Sequence, residues 1–379
     1  MDFELNEQQK EYKREIYKFA QQIANKNEDV YFSHELWKQT AETGIFGLNV
    51  DEKYNGLNES FLTAAICIEA LGYSFKNSGF VFTINNHLWV CQNLINLYGS
   101  ERVKDKYLKA MVNGEKIGCF AITEADAGSD ACGMRTIATE TDNCFVLNGS
   151  KIFISNGPIA DVFIVVAKME TNAKKYTAFV VEKEFEGFSI GKNIEKMGLE
   201  ACPSCEIVFN NCKIPKENII GTINNGSFIM TSALEWERCF EFASHIGAMQ
   251  RIMEMCIDYS KKRKQFNKRI CEFQGVTHKI ADMKVAIELS RNYLYNIATM
   301  KDRGESAFLE SSIFKLFVSE KYVKVCQDAI QIFGAYGYSK EYDLEAEFRS
   351  SIASTIYSGT SEIQRNTIYE LANLSPYID

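Results

Sequence analysis

Two changes of texture divide this chain, and they limit its architecture more than any other feature. Up to about residue 117, apolar residues recur at helical spacing: from Asn6 through Ala20, from Ser33 to Thr43, from Ser60 to Leu71, from Asn86 to Tyr98 and from Ser100 to Met111, with a turn over Val50–Gly56. From Gly118 to about Gly226 the chain breaks into short β-rich runs bounded by turn residues. Examples are Cys144–Leu147 before Asn148-Gly149, Val162–Val166, Tyr176–Val181 and Glu206–Phe209. After Asn224-Asn225-Gly226 the helical period returns over Phe228–Arg263, Gln274–Lys301 and Ala307–Phe333, with few breakers. A chain of 379 residues is too long for one small core. The order helical, β, helical therefore predicts an α+β protein of three domains. These are an N-terminal helical domain over 1–117, a small β-barrel or sandwich over 118–226, and a helical bundle over 227–379.

Composition removes several classes of function. With 46% hydrophobic and 24% charged residues the chain is ordinary globular material, so large-scale disorder is not expected. A formal charge of −8 disfavours nucleic-acid binding and gives no polybasic patch for anionic lipid. No stretch approaches the apolar length of a membrane span, and the acidic, polar opening Met1–Glu7 is neither signal nor transit peptide; a cytoplasmic protein is the expectation. Cys202 and Cys205 form a C-x-x-C with Cys212 nearby. No second such pair exists, and the four histidines (His34, His87, His245, His278) lack metal-ligand spacing, so neither zinc nor structural disulfides are expected. Cys67, Cys91 and Cys326, in apolar helical context, read as small buried hydrophobes.

Five segments carry chemistry. Phe120–Asp130 is a strand opening into a small-residue loop, in which Ala127, Gly128 and Ser129 allow close backbone approach to a polar ligand. A strand and a turn alone would explain it, but its ending T-E-x-x-A-G-S-D is nearly the signature of the acyl-CoA dehydrogenase family. The remaining segments resemble that family in the same order: Asn148–Asn156, Arg263–Asn267 with Phe273-Gln274, Gln331–Gly337, and Ile356–Gln364. The resemblance spans essentially the whole chain. It implies an N-terminal helical domain, a middle β-barrel and a C-terminal four-helix bundle, with FAD between the last two.

The same resemblance assigns FAD contacts to Phe120, Ile122, Thr123, Gly128 and Ser129. It adds Phe153, Ile154 and Ser155, where the family usually has Trp at Phe153. It also adds Arg263, Phe266, Gln274, Gln331, Ile332, Gly334, Ala335, Thr360 and Glu362. An arginine at position 263 suits a pyrophosphate, because its planar fork pairs with phosphate oxygens. Asn267 and Ala335 stand where the family has glycine, so the turn at 267 is expected to differ. Relatives are commonly homotetramers or dimers in which residues such as Arg263 and Gln331 reach a neighbouring subunit's FAD.

The implied reaction is α,β-dehydrogenation of an acyl thioester. A carboxylate removes the α-proton, hydride leaves the β-carbon for the flavin, and the protein supplies orientation, base and polarisation. Most of the family carries its catalytic glutamate at the position held here by Ser358, and a hydroxyl is no base near neutral pH. Either the chain is a catalytically silent flavin-binding scaffold, or the base lies elsewhere. A minority of the family takes it from the motif L-x-x-E-R, which Leu234-Glu235-Trp236-Glu237-Arg238 matches. Glu237 is then the base. Glu235, Arg238, Ser129, Phe228, Ser358 and Gly359 become substrate contacts, with the backbone N–H at 358 polarising the thioester carbonyl. Trp236 and Phe228 are expected to narrow the pocket.

Trp236–Cys239, Thr355–Ser361 and the Cys-Pro loop Glu200–Cys205 further resemble dehydrogenases that oxidise prolyl-type aminoacyl groups on carrier proteins. Glu370 replaces an arginine suited to CoA, and a carrier-bound pantetheine has no nucleotide to lose. A short- or branched-chain acyl-CoA dehydrogenase is the alternative. Electron-transfer flavoprotein and oxygen both stand as acceptors.

Overall fold

Short polar residues start the helices. Ser33, Ser60, Asn77 and Ser100 each accept a hydrogen bond from the backbone N–H three residues on, satisfying a donor that a helix N-terminus leaves free. In the computed structural model, which describes residues 5–24 and 31–374, the first layer comprises α1 (Glu7–Ala24), α2 (His34–Glu42), α3 (Phe61–Ser74), α4 (Ser78–His87), α5 (Asn93–Tyr98) and α6 (Glu101–Val112). The helix expected over Asn86–Tyr98 begins earlier, at Ser78, behind its Asn77 cap. It passes through a π turn over Leu88–Gln92 before continuing as α5.

The middle segment is one eight-stranded sheet. Its strands are β1 (Gly118–Ala121), β2 (Ile137–Glu140), β3 (Cys144–Ser155), β4 (Val162–Met169), β5 (Asn172–Glu182), β6 (Phe188–Ile194), β7 (Ser204–Pro215) and β8 (Ile219–Ile220). The hydrogen-bonded path runs β6-β7-β3-β2-β4-β5-β8, with β1 beside β4. Its ends, β6 and β8, are not paired with each other among the described residues, so the barrel-like sheet is not hydrogen-bonded all the way round. The sheet curls round its own core: Phe163 of β4 lies 4.7 Å from Phe188 of β6, with three strands between them along the path. β4 shows why this segment is apolar throughout. Phe163, Val165 and Ala167 face that core, while Val162, Ile164 and Val166 face α5 and α6.

The final layer is α7 (Gly226–Phe240), α8 (Ala243–Lys262), a small hairpin of β9 (Lys264–Gln265) and β10 (Lys268–Arg269), α9 (Gln274–Asp302), α10 (Phe308–Phe333), α11 (Ala335–Tyr338), α12 (Leu344–Ala353) and α13 (Ser361–Leu374). The expected single helix over Phe228–Arg263 is broken at Glu241-Phe242, which separates α7 from α8. Phe266 and Asn267 both take positive φ, 53° and 59°, so the hairpin turns in two residues. Asparagine tolerates that conformation, which is how the turn survives without its glycine. No helix among the described residues is long and apolar enough to cross a membrane.

The N- and C-terminal helical layers share one apolar core, seamed by α3 against α8. The seam depends on two glycines. A Cβ on Gly72 would lie 1.9 Å from the Ser244 carbonyl oxygen, and one on Gly247 would lie 2.0 Å from that of Glu69. Gly247→Ala is therefore expected to destabilise the protein by about 1–3 kcal/mol or more, since backbone on both sides must move. A thermal melt checks this, and an unchanged midpoint would show that the seam can widen freely.

Candidate active site

A cavity of about 650 Å³ opens where the sheet, α4, α7 and the segment before α13 converge. It falls within the range of small-molecule sites. Phe120, Ile122, Thr123, Gly128 and Ser129 line one side, and Phe153, Ile154 and Ser155 another. Glu237, Arg238, Ser358, Gly359 and Thr360 close it. The placement of Phe153 has a local cause. Pairing of β3 with β7 slips between Lys151 and Ile154, and Phe153 takes φ 59° in that bulge. A left-handed conformation at a bulky residue is strained. Here it leaves the ring 61% exposed on the cavity wall instead of packed in the sheet.

Glu237 ends the first long helix after the sheet, facing the cavity. Burial raises its pKa above the ordinary carboxylate value, and Ser358, Arg238 and Lys315 offset only part of that rise. The Ser358 hydroxyl is near enough to favour the ionised form without making a defined hydrogen bond. The 358–359 segment is held by its carbonyls. Arg238 Nε donates to Ser358 O at 2.9 Å and Lys315 Nζ to Gly359 O at 2.8 Å, while Gln364 Nε2 donates to both at 3.0 Å. Ser358 and Gly359 both have positive φ, 58° and 90°. Clamped in this way, the Ser358 N–H has no acceptor among the described residues and is free for a ligand beside Glu237.

The loop after β1 is anchored from below. The buried Glu124 carboxylate accepts from Arg135 N at 2.5 Å, Thr136 N at 2.9 Å and Lys151 Nζ at 2.8 Å. Lys151, fully buried, also donates to Ile122 O. Burial pushes the lysine pKa down to about 8. Burial also works against the Glu124 carboxylate, but the Lys151 charge and the three hydrogen bonds outweigh it and hold Glu124 below its usual value. This ion pair fixes residues 122–136 to the same strand that presents Phe153.

The acyl-CoA dehydrogenase N-terminal, middle and C-terminal domain families match residues 6–115, 119–212 and 224–372. Over 375 residues the chain is 35% identical to the short-chain-specific acyl-CoA dehydrogenase of Megasphaera elsdenii, covering 96% of this chain and 97% of that one. The chain belongs to the acyl-CoA dehydrogenase family. It is also 37% identical over 377 residues to the L-prolyl-[peptidyl-carrier protein] dehydrogenase of Serratia sp. (strain ATCC 39006), covering 97% of each. The FAD complex of PigA superposes with a TM-score of 0.94 at 36% identity, covering 99% of this chain and all of that one. The three-domain fold is that of the family, and the protein is an FAD-dependent oxidoreductase. Its residues fit the cofactor: the exposed face of Phe153, the hydroxyls of Thr123, Ser129, Ser155 and Thr360, and the open space around Gly128 suit a flat ring with polar edges.

Within this acyl-CoA dehydrogenase scaffold several residues lie elsewhere than expected. Glu235 does not reach the cavity. Its carboxylate is paired with Lys301 Nζ at 2.8 Å and accepts from Ala307 N at 2.6 Å, tying α7 to the start of α10. Arg238 lines the cavity, but its guanidinium is spent on Ser358 O and the Ser312 hydroxyl, which makes it a holder of the loop. Phe228 is half exposed and packs edge-on to Tyr98, and Trp236 is buried against Phe61 and Phe240; neither narrows the cavity.

Arg263, Phe266, Gln274, Gln331, Ile332, Gly334, Ala335 and Glu362 do not line the cavity either. α8 runs 20 residues from the Glu241 turn to Arg263, about 30 Å at ~1.5 Å per residue. Gln331–Ala335 lies at the C-terminal end of α10, more than four turns beyond Lys315. Sequence reasoning missed Lys315, Gln364, Glu241, His245 and Lys151. Lys151 and Gln364 lie within two of the segments that resemble the family but were given no role there, and Glu241 is a second acid one turn after Glu237 within an apolar run.

Proposed function

We propose that this enzyme introduces an α,β double bond into an aminoacyl thioester, a prolyl-like group on a carrier-protein phosphopantetheine, with Glu237 as base. The observation that carries this reading is the juxtaposition of Glu237 with the free N–H of Ser358 on the wall of one cavity. A thioester oxygen on that N–H would set its α-carbon before the carboxylate. Bound FAD supplies the acceptor for the hydride from the β-carbon. Glu237 takes the α-proton, Arg238, Lys315 and Gln364 keep the polarising N–H in place, and the apolar walls exclude water.

The aminoacyl assignment draws on the likeness to the Serratia L-prolyl-[peptidyl-carrier protein] dehydrogenase and on the exposed Glu370, which disfavours a CoA phosphate. The cavity wall also carries Asn86, Lys196, Ser204 and Tyr357, polar partners that a purely aliphatic chain would not use. A second copy of the chain would bring the set from Arg263 to Ala335 to the cofactor's far end, making the working form a dimer or tetramer. Reduced flavin would pass electrons to electron-transfer flavoprotein or to oxygen.

Anaerobic bleaching of the flavin tests the substrate. Prolyl-loaded carrier protein is expected to reduce it, with butyryl-CoA and isovaleryl-CoA at least about tenfold slower. Oxidation of the CoA esters alone would make this a short- or branched-chain acyl-CoA dehydrogenase, and no bleaching by any thioester would make it a silent scaffold.

A further inference from the structure

Glu241 is a buried acid that the reaction outlined above does not use. It is wholly inaccessible to solvent, and neither carboxyl oxygen has a hydrogen-bond partner among the described residues. Its N–H still bonds to the Glu237 carbonyl at 3.1 Å, so the two residues stand one helical turn apart, where side chains meet. The helix breaks immediately after it.

The groups packed round it come from four elements. α7 contributes Glu237 and Arg238; α8 contributes His245; α10 contributes Lys315 and Tyr322; the segment before α13 contributes Tyr357 and Ser358, with Cys202 near Tyr357. The two cations are already engaged, Arg238 with Ser358 O and Lys315 with Gly359 O.

The hydrogen bonds beside Glu241 form a directed chain. The Ser244 hydroxyl donates to Glu241 O at 2.8 Å. With the Ser244 proton given to Glu241 O, the Ser244 oxygen, which also accepts from Asn85 Nδ2 at 3.4 Å, can pair with His245 Nδ1 at 3.2 Å only as an acceptor, and the tautomer this selects lets Nε2 accept the Tyr357 hydroxyl at 2.7 Å. The Tyr357 hydroxyl lies close enough to Glu241 to act on it as a donor and hold its pKa down in part, but while its proton goes to His245 it offers that carboxyl only an acceptor. A buried carboxylate without donors is costly, whereas a neutral carboxylic acid brings a donor of its own. The burial of Glu241 and its closeness to Glu237 both raise its pKa well above the ordinary value.

We propose that Glu241 is a positioning acid for the base: it stays protonated and directs its O–H at the Glu237 carboxylate, making Glu237 the member of the pair that ionises. The two share one proton in the ground state, as neighbouring carboxyls do when both cannot carry charge. This rests on Glu237 being the base.

The test is the pH dependence of flavin reduction in the FAD-loaded enzyme, with prolyl-carrier protein, butyryl-CoA or isovaleryl-CoA as probe, in wild type, Glu241→Gln and Glu241→Leu. Leucine removes the donor to the ionised base, so the rising limb is expected to move about one pH unit or more to the alkaline side. Glutamine keeps a neutral donor, and its limb is expected to stay with wild type. An unshifted limb in Glu241→Leu overturns the proposal.

Infrared difference spectroscopy of wild type against Glu241→Gln at neutral pH supplies a readout that needs no turnover. A protonated-carboxyl carbonyl band lost in the variant supports the proposal, and its absence from wild type overturns it. This also covers a leucine variant that does not fold. If no probe reduces the flavin, the function proposed above fails while the infrared band still decides the state of Glu241.

Discussion

Replacing Glu237 by Gln should leave a folded protein that still holds FAD but reduces it with thioester about a hundred- to ten-thousand-fold more slowly. That is the range by which a positioned base speeds proton transfer. The amide keeps the shape of the side chain and loses only the ability to take a proton. Nothing else on the cavity wall replaces it. Ser358 is a hydroxyl, Glu124 is committed to Lys151 and two backbone N–H groups, and Glu235 is turned away to Lys301. Stopped-flow absorbance under anaerobic conditions measures the loss. Undiminished reduction would remove Glu237 from the mechanism and point to Glu241 as the carboxyl nearest behind it. The pH profile gives an independent check. Because burial raises the Glu237 pKa, the fraction able to accept a proton, and with it the rate, should climb with pH only above the ordinary carboxylate range.

The architecture was legible because periodicity reports burial. β4 is apolar from Val162 to Ala167 because both its faces are covered, and the Ser caps mark helix starts within a residue or two. The break at Glu241-Phe242 left no such mark. Phe240-Glu241-Phe242 contains no breaker, and the turn is imposed by tertiary packing. The site was legible as a set of residues and not as an arrangement. Glu237 and Ser358 are 121 positions apart and were joined only by resemblance. Glu235 looked equally available, because its partner Lys301 lies 66 residues on and chain spacing carries no hint of it. Phe153 could be read as an aromatic at a flavin, but the left-handed bulge that exposes its ring depends on the register of β3 against β7.

Lys151→Met should cost about 3–5 kcal/mol, because removing one partner of a buried ion pair strands the other. Glu124 would keep its two backbone donors and lose the charge that outweighs its burial. The pH dependence identifies the cause. In the wild type the Glu124 pKa is depressed, so its contribution is present above the unfolded carboxylate pKa and is lost as pH falls through the folded value. In the variant burial dominates and raises that pKa. The penalty is then greatest at neutral pH and disappears as acid protonates Glu124. Lys151 itself, held to about 8, binds fewer protons folded than unfolded between there and its ordinary value near 10.4, so its own cost eases as pH rises through that window. Thermal melts of wild type and variant should thus lie furthest apart at neutral pH and approach each other in acid. A gap independent of pH would mean that lost packing, not the stranded carboxylate, is responsible. Adding Glu124→Gln should recover part of the stability, since it removes the stranded charge while its amide oxygen can still accept from one of the Arg135 and Thr136 N–H groups, which now bond to different carboxylate oxygens. The same ion pair pins the 122–136 loop to the strand bearing Phe153, so Lys151→Met is also expected to weaken FAD retention in proportion, even though Lys151 does not line the cavity.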